Sequence, residues 1–326
     1  MTPSIDLDDT SAQSARRAVA DQRHAIWQRI DNMSSTTGTC KCSLGRVRSR
    51  WFTLRRRMPL RAEDIHDFYE ECYSAGPQSA KWSNWRELGA VTKANHIATL
   101  IERGAIQAPN VVLEVGCGDG AVLRELGRRK IGGTRIGLDI SSSAVRLASA
   151  RAEIARARVF DGRHISAADG EYDLAVATHV LEHVPEPDML LREVLRVARA
   201  AIIEVPLERN VSARRRTARA ASEAAGHLHR FTAGNIRGMI AGAGWRVQSE
   251  IFDPLPPAVH TFGRETFAEK ATGYAKWAIR AALAASPALG QRIITLHYAV
   301  IAIPGFRRSP TELRGPQGDP AQPPRP

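Results

Sequence analysis

Leu113-Glu114-Val115-Gly116-Cys117-Gly118-Asp119-Gly120 sets three glycines within five residues, directly after a short apolar run. Glycine lets a backbone turn tightly and approach a ligand with no Cβ in the way. Alone the pattern has low specificity: with Ala121 in the last place it also fits the Gly-x-Gly-x-x-Ala dinucleotide turn. Two further acids sharpen it. Asp139 ends a second apolar run 19 residues after Gly120, where a carboxylate can accept hydrogen bonds from both ribose hydroxyls. Asp161 ends a third. With Glu114, three successive strands thus end in an acid at one edge, in a chain whose net charge is +12. Carboxylates so placed repel one another unless something compensates. A cationic ligand bearing an amino group and a sulfonium would do so; the alternative is three unrelated surface acids and helix caps.

Histidines and arginines cluster further along. His183, in Leu181-Glu182-His183-Val184, follows a fourth apolar run and is placed to serve as a general base for an alcohol or phenol, or to brace its loop. His227 and His229 in Gly-His-Leu-His-Arg-Phe are alternatives, and with Arg230 they are candidates to contact an acceptor. Residues 205–226 carry Arg209, Arg214, Arg215, Arg216 and Arg219, either a fork set for a carboxylate or phosphate on the acceptor or a solvated charge run. The Cys117 side chain is read as structural, because no Cys–His signature accompanies it. Cys40-Lys41-Cys42 is too sparse to hold a metal, and no metal site is read from the sequence.

The elements that must position these residues alternate. Apolar runs at 111–115, 136–140, 157–160, 172–180 and 200–206 read as buried parallel strands. Helical patterns lie between them: one after the glycine turn, one opened by Ser141–Ser143, and one from Pro187 to Arg199. A helix over 232–244, a strand from Trp245, a long helix over about 264–285 and a last strand over 293–303 follow. The alternation predicts an α/β fold, a doubly wound and mostly parallel sheet with ligands outside the strand C-termini.

Of 326 residues, 43% are hydrophobic and 25% charged, which excludes wholesale disorder, collagen and a coiled coil. Residues 1–60 hold 11 basic residues against 5 Asp, and 305–326 hold 4 Arg against 2 acids, so 12 − 6 − 2 leaves +4 for the middle. Residues 1–57 are expected to be a basic disordered extension, or to precede the native start; 58–109 a helical lid region with Tyr69, Tyr73, Trp82 and Trp85; 110–304 the cofactor-binding domain; and 305–326 a disordered Pro/Gly-rich tail. Four cysteines and the absence of a signal-like N-terminus suit a reducing cytoplasm. The 264–285 helix, with Phe267, Tyr274 and Trp277, could line an apolar pocket or touch a membrane surface, but Lys270, Lys276 and Arg280 keep it from spanning one.

The motifs LEVGCGDG, GLDIS, FDG and EYDLAVATHVLEHV, with GHLHRFTAGNIRGMIAGAGWRV, resemble those of class I S-adenosylmethionine-dependent methyltransferases of the UbiE/UbiG-like small-molecule group, over about residues 65–304. The resemblance implies a seven-stranded sheet with an antiparallel last strand. It implies that Glu114, Gly116, Cys117 and Gly118 line the methionine part of S-adenosyl-L-methionine. Asp139 would hold the ribose, Ile140 would lie beside the adenine, and Asp161 with Gly162 would reach the adenine amino group. Thr178 and His179 would approach the methionine amino group and the methyl; His179 and His183 are the catalytic candidates. The implied reaction is methyl transfer to a hydroxyl of a small molecule, glycan or lipid-like acceptor, anionic if the arginines bind it, with no obligate nucleic acid. A nucleic-acid methyltransferase competes; it is disfavoured because THVLEH replaces the Asn/Asp-Pro-Pro-aromatic motif of base amino methylation. A cofactor-binding regulator without turnover and a dinucleotide oxidoreductase are the other readings.

Overall fold

The computed structural model describes residues 64–74 and 79–305. The expectations for residues 1–57 and for the tail from 306 lie outside the described residues, as does Cys40-Lys41-Cys42. Seven strands form one sheet: β1 (Val111–Val115), β2 (Thr134–Asp139), β3 (Arg156–Val159), β4 (Tyr172–Thr178), β5 (Ala198–Pro206), β6 (Trp245–Asp253) and β7 (His297–Pro304). Their order is β3-β2-β1-β4-β5-β7-β6. The first five pair in parallel, and β7 runs antiparallel to both β5 and β6. The strand order reverses between β1 and β4, so a crevice opens at their C-terminal ends.

Alternate residues of the central strands feed two apolar layers, as the period of two requires. Val112, Leu174, Val176 and Ile202 face one side; Leu113, Val115, Ala175, Ala177 and Ile203 face the other. On the first side, α2 (Ser79–Arg103) lays down Ala90, Ala94, Ile97 and Leu100 at spacings of four and three, beside α3 (Ala121–Arg128). On the second, α5 (Pro187–Arg196) buries Leu190, Leu191, Val194 and Leu195 beside Ile236 and Ile240 of α7 (Ala233–Gly242). Two shorter helices, α1 (Ile65–Ser74) and α4 (Ser142–Ser149), belong to the site.

Several boundaries shift from the sequence reading by a few residues, and three of the differences have a plain physical reason. The helix expected to reach Arg199 stops at Arg196, because Ala198 already pairs with Tyr172 in the sheet. Residues 205–226, read as a loop, contain α6 (Arg216–Ala224). The last strand begins at His297 rather than 293, because Pro287 opens another helix, ending at Ile293.

Beyond the edge strand β3, residues 161–171 run irregularly and are pinned by two side chains of α5. Glu193 accepts from Ile165 N at 3.0 Å and from Arg196 at 2.8 and 2.9 Å. Arg196 in turn donates to the carbonyls of Ile165 and Ala167 and to Asp169. The Arg196 hydrogen bonds hold the Glu193 carboxyl down at about 2, against the opposing effect of burial. A lowered folded pKa means that stability is present above the usual glutamate range and lost as pH falls toward 2. Glu193→Gln should cost about 1–3 kcal/mol at neutral pH, read by urea unfolding, and should flatten the acid limb of the stability curve. An unchanged midpoint in the variant would refute the clamp.

Candidate functional site

The turn after β1 is built by its glycines. Gly116, Gly118 and Gly120 have φ of 71°, 53° and 76°, the left-handed region that side chains resist. Gly116 N and Cys117 N both donate to Leu138 O, at 2.7 and 2.9 Å, which ties the turn to β2. A Cβ on Gly116 would stand 2.5 Å from Val180 Cγ2, so the ends of β1 and β4 approach this closely only through glycine. The Cys117 thiol is buried against Gly137, whose missing Cβ leaves it room, and burial pushes its pKa well up. Its Sγ also lies 3.7 Å from Gly118 O within the turn.

Of the three acids, two share the crevice. Asp139 is 6% exposed; its carboxylate accepts from Gly118 N at 2.8 Å and Ser141 N at 2.9 Å. Burial raises its pKa, while these backbone donors oppose the rise. Glu114 is 2% exposed, and its Oε2 has no hydrogen-bond partner among the described residues. Burial pushes Glu114 up to about 8; Lys93 opposes this and the neighbouring Asp139 and Asp119 add to it. A buried, unpaired carboxylate in such a field favours a cationic or hydrogen-bond-donating ligand. Asp161 stands on an exposed loop just after Phe160, whose amide donates to Asp139 O at 3.1 Å, and it accepts from Arg163 N and His164 N, both at 2.8 Å. Its neighbour Gly162 packs beside Ile140: a Cβ there would stand 3.2 Å from Ile140 Cγ2. The three expected acids thus differ in burial: Glu114 and Asp139 are buried and Asp161 is exposed.

Helix α1 closes over this turn. Glu70 reaches Ser141 Oγ at 2.8 Å, Ser142 Oγ at 3.1 Å, Ser143 N at 3.2 Å and Ser143 Oγ, and these donors hold its carboxyl at about 2. It thereby locks α1 to the N-terminus of α4. Tyr73 covers Gly118, where a Cβ would come within 2.3 Å of its hydroxyl oxygen. Phe68 packs on Gly226, and the Tyr69 ring stands edge-on to His183 at 5.6 Å. The expected lid region is thus split. Helix α1 covers the site, whereas α2 serves the core, with Trp85 half-exposed against Phe262; the Trp82 side chain lies outside the described residues.

The residues after β4 form the other wall. Thr178 is buried, and Lys93 Nζ donates to its carbonyl at 3.5 Å. His179 takes φ 59°, unusual for a side chain of its size, and its amide donates to Glu204 O at 2.8 Å. Its Nδ1 lies 2.9 Å from Glu182 Oε1, and its Nε2 lies 2.9 Å from His297 Nδ1 and 3.4 Å from Glu204 Oε1. Burial and Lys93 push its pKa down, but Glu182 and Glu204 outweigh them and raise it. His183 differs. Its Nδ1 donates to Gly226 O at 3.2 Å, which leaves Nε2 as a lone pair. Burial, aided by His227 against Glu182, holds it near 4, so the ring is neutral at neutral pH. His227 packs on His183 at 4.8 Å and meets Glu208 Oε2 at 2.9 Å. His229 turns away, its Nε2 donating to Pro185 O at 3.2 Å.

Two cavities open beside this wall. One of about 520 Å³ is lined by Arg209, Arg214, Arg219 and Arg230, with Glu208 the acid among them. The other, about 660 Å³, is shared by Arg209, Arg230 and His229 with Met189, Phe231 and Met239. The sequence reading did not single out Glu182, Glu204, Glu208, His96 or His297. A signal existed for Glu204, a lone charge in the apolar run Ala200-Ala201-Ile202-Ile203-Glu204-Val205.

The strand order, the glycine turn and the acid at the end of β2 together define a class I S-adenosylmethionine-dependent methyltransferase domain, with S-adenosylmethionine as its cofactor. Comparison agrees: the methyltransferase-domain family matches residues 91–250. The methyltransferase GfsG of Streptomyces halstedii is 28% identical over 153 residues, 42% of this chain and 55% of that protein. The ubiquinone biosynthesis O-methyltransferase of Acinetobacter baylyi is 27% identical over 124 residues, 35% and 51% of the two chains. The chain thus spans about half the length of the curated relatives it matches. A solved SAM-dependent methyltransferase from Thermotoga maritima superposes with a TM-score of 0.48 at 12% identity, over 74% of this chain and 100% of its own. The buried, unpartnered Glu114 oxygen and the side-chain-free turn fit the cofactor's cationic and compact methionine end.

Gly118→Ala should lower stability through its positive φ by about 1–2 kcal/mol, with an added clash against Tyr73. Adding Tyr73→Phe should recover only the steric part, measured by thermal unfolding of the single and double variants. Equal stability of Gly118→Ala and wild type would refute this account of the turn.

Proposed function

We propose that the protein transfers a methyl group from S-adenosylmethionine to a hydroxyl oxygen of an anionic small-molecule acceptor. The observation that carries this reading is the His183 imidazole, neutral and held by Gly226 O so that Nε2 keeps its lone pair beside the β4 end. When bound, the cofactor supplies an electrophilic methyl on a good leaving group. Glu114 would hold its amino group, and Asp139, whose oxygens each keep a further lone pair, its ribose. Helix α1 would exclude water above the turn. His183 Nε2 would take the proton of the acceptor hydroxyl as that oxygen receives the methyl group that the cofactor would supply. His179 meets Glu182 through Nδ1 and faces Glu204 and His297 through Nε2, so its place is in the wall rather than as the base. The arginine cavity would take the acceptor's carboxylate or phosphate, since guanidinium forks suit both. The acceptor class draws on the hydroxyl chemistry of the Acinetobacter relative's name as well as on this cavity.

His183→Ala should lower kcat about 10²–10³-fold while S-adenosylhomocysteine affinity, measured by calorimetry, stays unchanged. The wild-type rate should stay flat below neutrality until His183 protonates near its pKa of about 4, because only the neutral ring accepts a proton. Near-wild-type turnover in His183→Ala would reject the assignment. Replacing Arg214 and Arg219 with Ala should raise the acceptor KM about tenfold or more with little change in kcat, the pattern of lost uniform binding. An unchanged KM would return these arginines to solvent.

A further inference from the structure

His179, Glu204 and His297 come from three adjacent strands, β4, β5 and β7, and converge behind the wall of the site. Their donor atoms are mutually close: His179 Nε2 to His297 Nδ1 is 2.9 Å, His179 Nε2 to Glu204 Oε1 is 3.4 Å, and His297 Nδ1 to Glu204 Oε1 is 3.6 Å. Donors bound tetrahedrally at zinc distances of about 2.0–2.2 Å stand about 3.4 Å apart, and octahedral neighbours about 3.0 Å. The observed triangle spans these values.

Two further observations point to an ion. The Glu204 side chain is 1% exposed, and its Oε1 has no hydrogen-bond partner among the described residues. It therefore aims a buried carboxylate oxygen between two imidazole nitrogens, at 3.4 and 3.6 Å. Two of the three ligands, His179 and Glu204, are also oriented from behind, as metal ligands are. His179 presents Nδ1 to Glu182 Oε1 at 2.9 Å, which sets Nε2 as the donor toward the triangle. The other oxygen of Glu204 meets His96 Nδ1 at 3.0 Å, and His96 Nε2 meets Asp253 Oδ2 at 3.1 Å. Side-chain exposures of 19% for His179 and 17% for His297 leave the triangle reachable from solvent.

We propose that His179, Glu204 and His297 form a binding site for one divalent transition-metal ion, with Zn²⁺ the ion best suited to two imidazoles and a carboxylate. Such a set leaves a coordination position open for water or another oxygen. The site stands whether or not the transfer reaction proposed above is correct, since its test reads metal and not turnover.

The test uses the full chain, stripped with chelator and titrated with Zn²⁺ by calorimetry and with Co²⁺ by visible absorption. One equivalent of Zn²⁺ should bind, and Co²⁺ should show the d–d bands of a low-coordinate N/O site. His297→Ala and Glu204→Gln should each weaken binding at least 100-fold. His96→Gln, acting only through Glu204, should weaken it about 10–100-fold. Circular dichroism of each variant separates loss of the site from loss of fold. If Glu204→Gln fails to fold, His297→Ala carries the result, since its side chain is partly exposed at a strand start. A second grouping, Glu182 with His183 and His227, lies nearby. Binding abolished by His227→Ala but not by His297→Ala would overturn the assignment, as would the absence of saturable one-equivalent binding to the wild-type chain.

Discussion

A single carboxylate joins the parts of the cofactor crevice. Asp139, buried at the end of β2, takes the amide of Gly118 on one oxygen and that of Ser141 on the other. The first bond fixes the glycine turn after β1; the second fixes the entry to α4, whose N-terminus Glu70 then caps from α1. Two strand ends and the covering helix are thereby held by one side chain and its immediate neighbours. Desolvating that charge is costly, and the two backbone donors offset the cost. One strand away, buried Glu114 keeps one oxygen, Oε2, without a hydrogen-bond partner among the described residues. One acid is braced by backbone amides on both oxygens, and its neighbour has an oxygen that is not.

The opposite wall solves a different problem. Glu182 and Glu204 are buried negative charges among histidines, and the histidines differ in protonation because their surroundings differ. His179 stands between both carboxylates and is held protonated more firmly than a free imidazole, whereas His183 sits against Tyr69 and His227 and is held neutral. Two imidazoles four residues apart thus acquire different chemistry from burial and partners alone.

The fold was largely legible in the chain, because buried parallel strands must be short apolar runs and their helices must show a stripe. The runs ending at Val115, Asp139 and Pro206 appear in the structure within a residue or two. The glycine turn was legible for the same reason: a left-handed backbone admits few other residues. The histidine–carboxylate network was not. His96, His179, Glu204, Asp253 and His297 span 202 residues of sequence and meet only because β7 inserts between β5 and β6. No local period marks them, and only the charge within the apolar β5 run hinted at them. Asp161 has a second task that the chain did not show: an acid after a strand also satisfies the amides of the tight loop it opens.

That insertion of β7 has a bearing on how the molecule assembles. A strand running against its neighbours brings its first residue, His297, to the edge where the parallel strands bring their last. Strand β6 has β7 as its sole sheet neighbour, so it can join the sheet only once the chain has returned through β7. The wall of histidines is accordingly among the final features to form as the chain emerges and condenses. A translation product cut short before residue 297 would carry the glycine turn and all five parallel strands, yet lack both the imidazole and the strand on which β6 pairs.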